Sequence, residues 1–153
     1  MTPVRLKQAT VLLVEDDPAD QELTRRALTE GAVKIDLRIA NDGEEAIEQL
    51  IGATRDTADA DDLPDIVLLD LNMPRMNGTE VLQVMRDTPA LKEVPVVVLT
   101  TSKQEEEIVQ SYRLGCNSFI TKPVNYRDFI EVVKCLGHYW FELCSLPGAT
   151  ERG

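Results

Sequence analysis

Three short stretches of this chain, residues 11–14, 66–69 and 94–99, are almost wholly apolar and rich in Val, Ile and Leu. Each is too short for a helix. Each is continuous rather than alternating, so both faces must be covered, as happens to a strand in a parallel sheet with helices on either side. Each run stops at a polar residue: Glu15-Asp16, Asp70 and Thr100. Residues 35–39 read differently, because Ile35, Leu37 and Ile39 alternate with Lys34, Asp36 and Arg38, the pattern of a half-exposed strand at a sheet edge. A short fifth strand fits residues 117–121.

Helical signals fill the gaps. In Asp17-Pro18-Ala19-Asp20 a capping side chain precedes a proline at the first helical position, and an acid follows near the positive end of the helix dipole. This helix is expected to reach about Glu30 and stop at Gly31. Further helices are expected over residues 43–51, 78–87, 104–114 and 126–143, the last ended by Pro147 and Gly148. Residues 52–63 show no apolar period and read as a solvated loop. Five alternating strand and helix units predict an α/β fold, a doubly wound five-stranded parallel sheet with right-handed crossovers. In such sheets, sites form beyond the carboxyl ends of the strands where the strand order switches. With 153 residues there is room for one core. The expected layout is a tail over 1–9, one domain over 10–145 and a second tail over 146–153.

Charge and composition exclude several functions. Twenty-seven acidic residues against sixteen basic ones give a net charge of −11, which argues against direct DNA binding. The apolar run near the start is too brief for a signal segment, and no stretch is long enough to span a membrane, so a cytoplasmic protein without a membrane partner is expected. Cys116, Cys135 and Cys144 form neither a C-x-x-C pair nor a zinc spacing and read as reduced thiols. His138 is the only histidine, which excludes a His-based metal cage, and a Ser-His triad unless that residue serves it. Its helical, aromatic-rich surroundings suggest a surface or packing role.

The main chemical signal is convergence. The strong strands end at Glu15-Asp16, Asp70 and Thr100, and the fifth ends at Lys122, so these side chains gather at one edge. Three carboxylates a few ångströms apart repel one another unless a cation or Lys122 holds them charged. Hard oxygen ligands without His or thiolate point to Mg²⁺. A carboxylate beside Mg²⁺ and a lysine can attack phosphorus and carry an acyl phosphate, with a hydroxyl from Thr100 bonding a phosphoryl oxygen.

The stretches Val11-Leu12-Leu13-Val14-Glu15-Asp16-Asp17, Leu68-Leu69-Asp70-Leu71-Asn72-Met73-Pro74 with Asn77-Gly78, Val98-Leu99-Thr100 and Lys122-Pro123 together resemble the receiver domains of two-component response regulators. The resemblance implies a flavodoxin-like fold in which Asp70 is the phosphoacceptor, taking its phosphoryl group from a sensor histidine kinase. It further implies that Glu15, Asp16, Asp70 and the backbone carbonyl of Asn72 hold Mg²⁺, that Lys122 pairs with the phosphoryl group, and that the Lys122-Pro123 bond is cis. Glu15 stands where the family often has Asp, and Asp17 is left as the helix cap. Thr100 and Phe119 fall where the family keeps its switch hydroxyl and switch aromatic, and Phe119 equally suits an ordinary core ring. Thr101 follows at a position where the family often has a smaller residue, so it is expected to crowd the water that removes the phosphoryl group.

A narrower resemblance lies in residues 15–20, in Thr100-Thr101-Ser102 and in Tyr139-Trp140-Phe141. These resemble the small single-domain regulators that partner bacterial phytochrome-type sensor kinases. Only about ten residues follow the last expected helix, so output is expected through the receiver surface, by docking or by passing the phosphoryl group to a downstream phosphotransfer protein. The competing enzyme reading is an aspartyl-phosphate phosphatase or phosphotransferase of haloacid-dehalogenase type. Those enzymes carry Asp-x-Asp on the first strand, whereas Asp70 lies on the third and Asn72 stands two residues on. A nucleotide or flavin binder lacks its glycine-rich loop. In the last helix, Phe129, Val132, Leu136, Tyr139 and Leu143 form one apolar stripe, and Ile130, Val133, Trp140 and Cys144 form a second. The second stripe suits a homodimer through the fourth helix, fifth strand and last helix; the alternative is that residues 146–148 fold back over Trp140.

Overall fold

The computed structural model describes residues 9–30, 34–55, 63–73, 75–101, 103–104 and 118–135. Its elements are β1 (Ala9–Val14), α1 (Pro18–Thr29), β2 (Ile35–Ala40), α2 (Gly43–Arg55), β3 (Ile66–Asp70), α3 (Gly78–Asp87), a 3-10 turn (Pro89–Leu91), β4 (Val96–Thr100), β5 (Ser118–Thr121) and α4 (Tyr126–Cys135). The five strands are all parallel in the order β2-β1-β3-β4-β5. The order reverses between β1 and β3, so their carboxyl ends flank the crevice where such sheets place their sites.

The continuous apolar runs are explained by two cores, one on each face. Leu12, Val14, Val67, Leu69, Val96 and Val98 pack with Ala46 and Leu50 of α2 and with Val81, Leu82 and Met85 of α3. Their neighbours Val11, Leu13, Ile66, Leu68, Val97 and Leu99 pack with Leu28 of α1 and Phe129 of α4. Successive side chains of one strand thus enter opposite cores, each buried residue worth roughly 1.5–3 kcal/mol of removed apolar surface. The alternating strand is at the sheet edge as expected, with Ile35, Leu37 and Ile39 packed on the second core.

Caps fix the helix starts. The Asp17 carboxylate accepts from Asp20 N–H at 3.1 Å with Pro18 at the first position, as the sequence predicts. Asn77 and Glu80 form a reciprocal capping box at the start of α3.

Two boundaries differ from expectation. Helix α2 continues past Ile51 to Arg55, because Gly52, Ala53 and Thr54 lack an apolar period but contain nothing that stops a helix. The expected loop over 52–63 is thereby shortened; its residues 56–62 lie outside the described residues, and Leu63 packs on the first core. Strand β4 begins at Val96 rather than Val94. Pro95 has no N–H to give the ladder, although its carbonyl accepts from Val67 N–H at 2.9 Å, and Val94 N–H turns back to the Leu91 carbonyl.

In α4, Phe129 is buried and Val132 packs beside it. Ile130, assigned from the sequence to the second stripe, also packs on this core. The side chain of Val133, and Leu136, His138, Tyr139, Trp140, Leu143 and Cys144, lie outside the described residues, as do Cys116 and most of the helix expected at 104–114. Among the described residues no helix is long and apolar enough to cross a membrane.

Candidate functional site

Parallel pairing delivers the polar residues to one edge. The register Val14↔Leu69 sets Glu15 beside Asp70, and Asp70 pairs with Leu99, one residue before Thr100. Thr100 pairs with Thr121, and its carbonyl accepts from Lys122 N–H at 2.8 Å. Glu15, Asp70 and Thr100 are 1 %, 2 % and 1 % exposed, so strand ends that normally meet solvent here meet one another. The Lys122-Pro123 bond is cis.

Lys122 Nζ lies 2.9 Å from Glu15 Oε1, 3.0 Å from Asp20 Oδ2 and 3.5 Å from Asp70 Oδ1. Backbone donors supply the rest: Asp17 N–H donates to Glu15 Oε2 at 3.1 Å, and Asn72 N–H donates to Asp70 Oδ1 at 3.2 Å. Carboxylate oxygens of Glu15, Asp16 and Asp70 all lie within 4.8 Å of one another, with Asp16 the least buried of the three. The structure therefore brings together Glu15, Asp16, Asp70, Thr100 and Lys122. Phe119, one strand over, is half-buried against the first core, and Thr101 is exposed.

Sequence reasoning missed Asp20 as a partner of Lys122. Its available signal was position: the first turn of α1 rises from the same edge as Asp16. It also missed Gln21, whose amide donates to the Glu15 carbonyl at 2.6 Å.

Burial dominates the electrostatics. It pushes the Glu15 carboxyl up to about 7, against the Lys122 contact and the Asp17 N–H, with the charge of Asp70 adding to the rise. Burial also raises Asp70, although Lys122 and Asn72 N–H oppose it. Burial disfavours the Lys122 ammonium, but Glu15, Asp20 and Asp70 together outweigh it and hold the amine charged above its usual range.

Whether a cation fits is decided at Glu15. Its Oε1 is buried with no hydrogen-bond donor aligned on it, held only by the charge of Lys122. One ammonium thus serves three carboxylates while Asp16 stands alongside, and the donors are hard oxygens. The set fits a divalent cation held by Glu15, Asp16 and Asp70. When bound, such an ion neutralises charge on the carboxylates and on any phosphoryl oxygens placed there. The haloacid-dehalogenase alternative is not supported by this layout, since Asp70 ends the third strand, and Asn72, two residues on, cannot serve as a general acid.

A family model described as the response regulator receiver domain matches residues 11–134. The response regulator Rcp1 of Synechocystis sp. is 37 % identical over 91 % of this chain and 93 % of its own length. The solved Mn²⁺-bound form of Rcp1 is 35 % identical with a TM-score of 0.63, covering 86 % of this chain and 94 % of that one. The bacteriophytochrome response regulator AtBRR is 39 % identical with a TM-score of 0.74, covering 86 % and 94 %. The phosphorylated cyanobacterial phytochrome response regulator RcpA is 36 % identical with a TM-score of 0.67, covering 88 % and 95 %. The matched residues take in the carboxyl ends of all five strands, and the chain belongs to the response regulator receiver domain family.

Proposed function

We propose that this receiver takes a phosphoryl group from a sensor histidine kinase onto Asp70 and signals through its own surface. The observation that carries the reading is the Asp70 carboxylate, buried at the end of β3 beside Lys122 and the acid pair. In the transfer, a carboxylate oxygen of Asp70 bonds to phosphorus as the phosphorus–nitrogen bond to the kinase histidine breaks. Lys122 pairs with the phosphoryl oxygens, and Thr100 supplies a hydroxyl whose movement Phe119 follows as the switch aromatic. Mg²⁺ is the cation, held by Glu15, Asp16, Asp70 and the Asn72 carbonyl.

The kinase is of phytochrome type, a reading supported by AtBRR and RcpA, which are themselves described as phytochrome response regulators. Output passes by docking or to a downstream phosphotransfer protein, in the cytoplasm, from a receiver unit spanning 10–145. A homodimer through the helix expected at 104–114, β5 and the last helix completes the proposal. It rests on Trp140 rather than Ile130, and Trp140→Glu is expected to shift sedimentation toward monomer while Asp70 labelling persists.

Acetyl phosphate or the kinase is expected to label the wild type only with Mg²⁺ present, and Asp70→Asn is expected to abolish the label. Undiminished label on Asp70→Asn, or label without divalent metal, overturns the assignment.

A further inference from the structure

A belt of polar contacts ties three loops together at this edge of the sheet. Gln21 Nε2 of α1 donates both to the Glu15 carbonyl at 2.6 Å and to Asn41 Oδ1 at 2.8 Å. Asn41 in turn donates to Glu45 Oε1, and Glu45 N–H donates to Asp42 Oδ1 at 2.8 Å. The other carboxylate oxygen of Asp42 accepts from Arg75 Nη2 at 3.1 Å. The belt therefore runs from the backbone of the acid pair, across the loop before α2, to the loop between β3 and α3 that contains Asn72.

That last loop is pinned at both ends: Gly78 N–H donates to the Leu71 carbonyl at 3.1 Å, and the Asn77–Glu80 capping box secures the start of α3. Its middle presses on α2, where a Cβ on Gly43 would sit 2.5 Å from the Met76 carbonyl oxygen. Arg75 has φ 64°, a left-handed conformation that glycine adopts without penalty and arginine does not. A side chain that merely decorated the surface would leave this strain without return.

We infer that Arg75 and Asp42 are positioning residues for the metal site, a clamp that holds the Asn72 backbone at the distance from Glu15, Asp16 and Asp70 at which its carbonyl completes the ligand set. The inference rests on the metal reading proposed above. The contact uses one N–H of the guanidinium, which a lysine ammonium can replace. Glycine removes it while relaxing the backbone, so stability and positioning separate in one variant.

The test is calorimetric titration of Mg²⁺ into wild type, Arg75→Gly, Arg75→Lys and Asp42→Asn, with thermal unfolding in chelator alongside. Asp42→Asn keeps an oxygen to cap α2 but removes the charge. Arg75→Gly is expected to weaken Mg²⁺ affinity about tenfold, as loss of an outer support to a metal ligand does. Its metal-free melting temperature is expected to stay level or rise. Asp42→Asn weakens affinity in the same direction, and Arg75→Lys stays near wild type. Wild-type affinity in both Arg75→Gly and Asp42→Asn overturns the clamp alone. A wild type that binds no Mg²⁺ overturns the metal reading and the clamp with it.

Discussion

Replacing Glu15 with Gln isolates the electrostatic cost of the acid cluster. Burial lifts the Glu15 carboxyl from 4.5 to about 7, the repulsion of Asp70 adding to it and Lys122 only partly opposing it. In the unfolded chain the same group titrates near 4.5, so between the two values the native state holds a proton that the unfolded state lacks. The stability this proton confers is complete below the unfolded value and is lost as pH rises through about 7. The displacement corresponds to about 3 kcal/mol, or roughly 6–12 °C in melting temperature for a domain of this size. Gln resembles the neutral form at every pH, and the acids remote from this cluster titrate alike in both proteins and cancel in the difference. Thermal unfolding in chelator between about pH 4 and about pH 8.5 is therefore expected to show wild type losing about 3 kcal/mol relative to Glu15→Gln. A difference that stays flat with pH, or that widens on acidification, refutes the reasoning.

Three further outcomes follow from the same geometry. Millimolar Mg²⁺ is expected to stabilise the wild type at pH 8, by about 2.7 kcal/mol at a hundredfold excess over its dissociation constant, and so to raise its melting temperature, while moving Asp70→Asn less; scanning calorimetry measures both. Gly78→Ala places a Cβ 2.3 Å from the Asp70 carbonyl oxygen and 2.7 Å from Leu71 Cα, so urea unfolding is expected to show a loss of about 1–3 kcal/mol together with slower labelling of Asp70. Thr101→Ala removes a branched side chain beside the buried Thr100 and is expected to speed loss of label, followed as the decay of phosphorylated protein; an unchanged or slower decay removes support for crowding of the attacking water.

Much of the fold was legible because burial on both faces leaves a strand no polar position, as residues 66–69 illustrate. The misplaced boundaries are cases where one local property hid another. Pro95 is apolar and extends the run of β4, yet without an N–H it cannot open the ladder. Gly52 weakens a helix without ending it, and the Thr54 hydroxyl donating to the Ile51 carbonyl at 2.7 Å keeps the last turn of α2 closed. The site was legible for a topological reason: parallel strands deliver their carboxyl ends to one edge, so Glu15, Asp70, Thr100 and Lys122 had to meet. Contacts set by side-chain reach were not. Nothing in the chain links Arg75 to Asp42, 33 residues earlier, until the loop before α3 has folded against α2. Asp20 was read as a favourable charge at a helix start, which it is, while its carboxylate also turns to Lys122.

Lys122 shows why these charges act together. Its ammonium sits closer to Glu15 and Asp20, at 2.9 and 3.0 Å, than to Asp70 at 3.5 Å, so it serves the acids around Asp70 more than Asp70 itself. A phosphoryl group on Asp70 adds negative charge at the one place where Lys122 is least committed, and the ammonium is already within a small movement of it. Leaving Glu15 without replacement would strand a buried carboxylate whose Oε1 has no aligned donor, a change costing several kcal/mol in a low-dielectric site. Two relieving events are open to Glu15: uptake of a proton, which its raised pKa favours, or a second cation among Glu15, Asp16 and Asp70. As pH rises through about 7 the proton is lost, which leaves the cation. In the proposed function the acid pair that would take the metal and the lysine that would meet the phosphoryl group are two sides of a single charge exchange, set up by four strands that end at one buried edge.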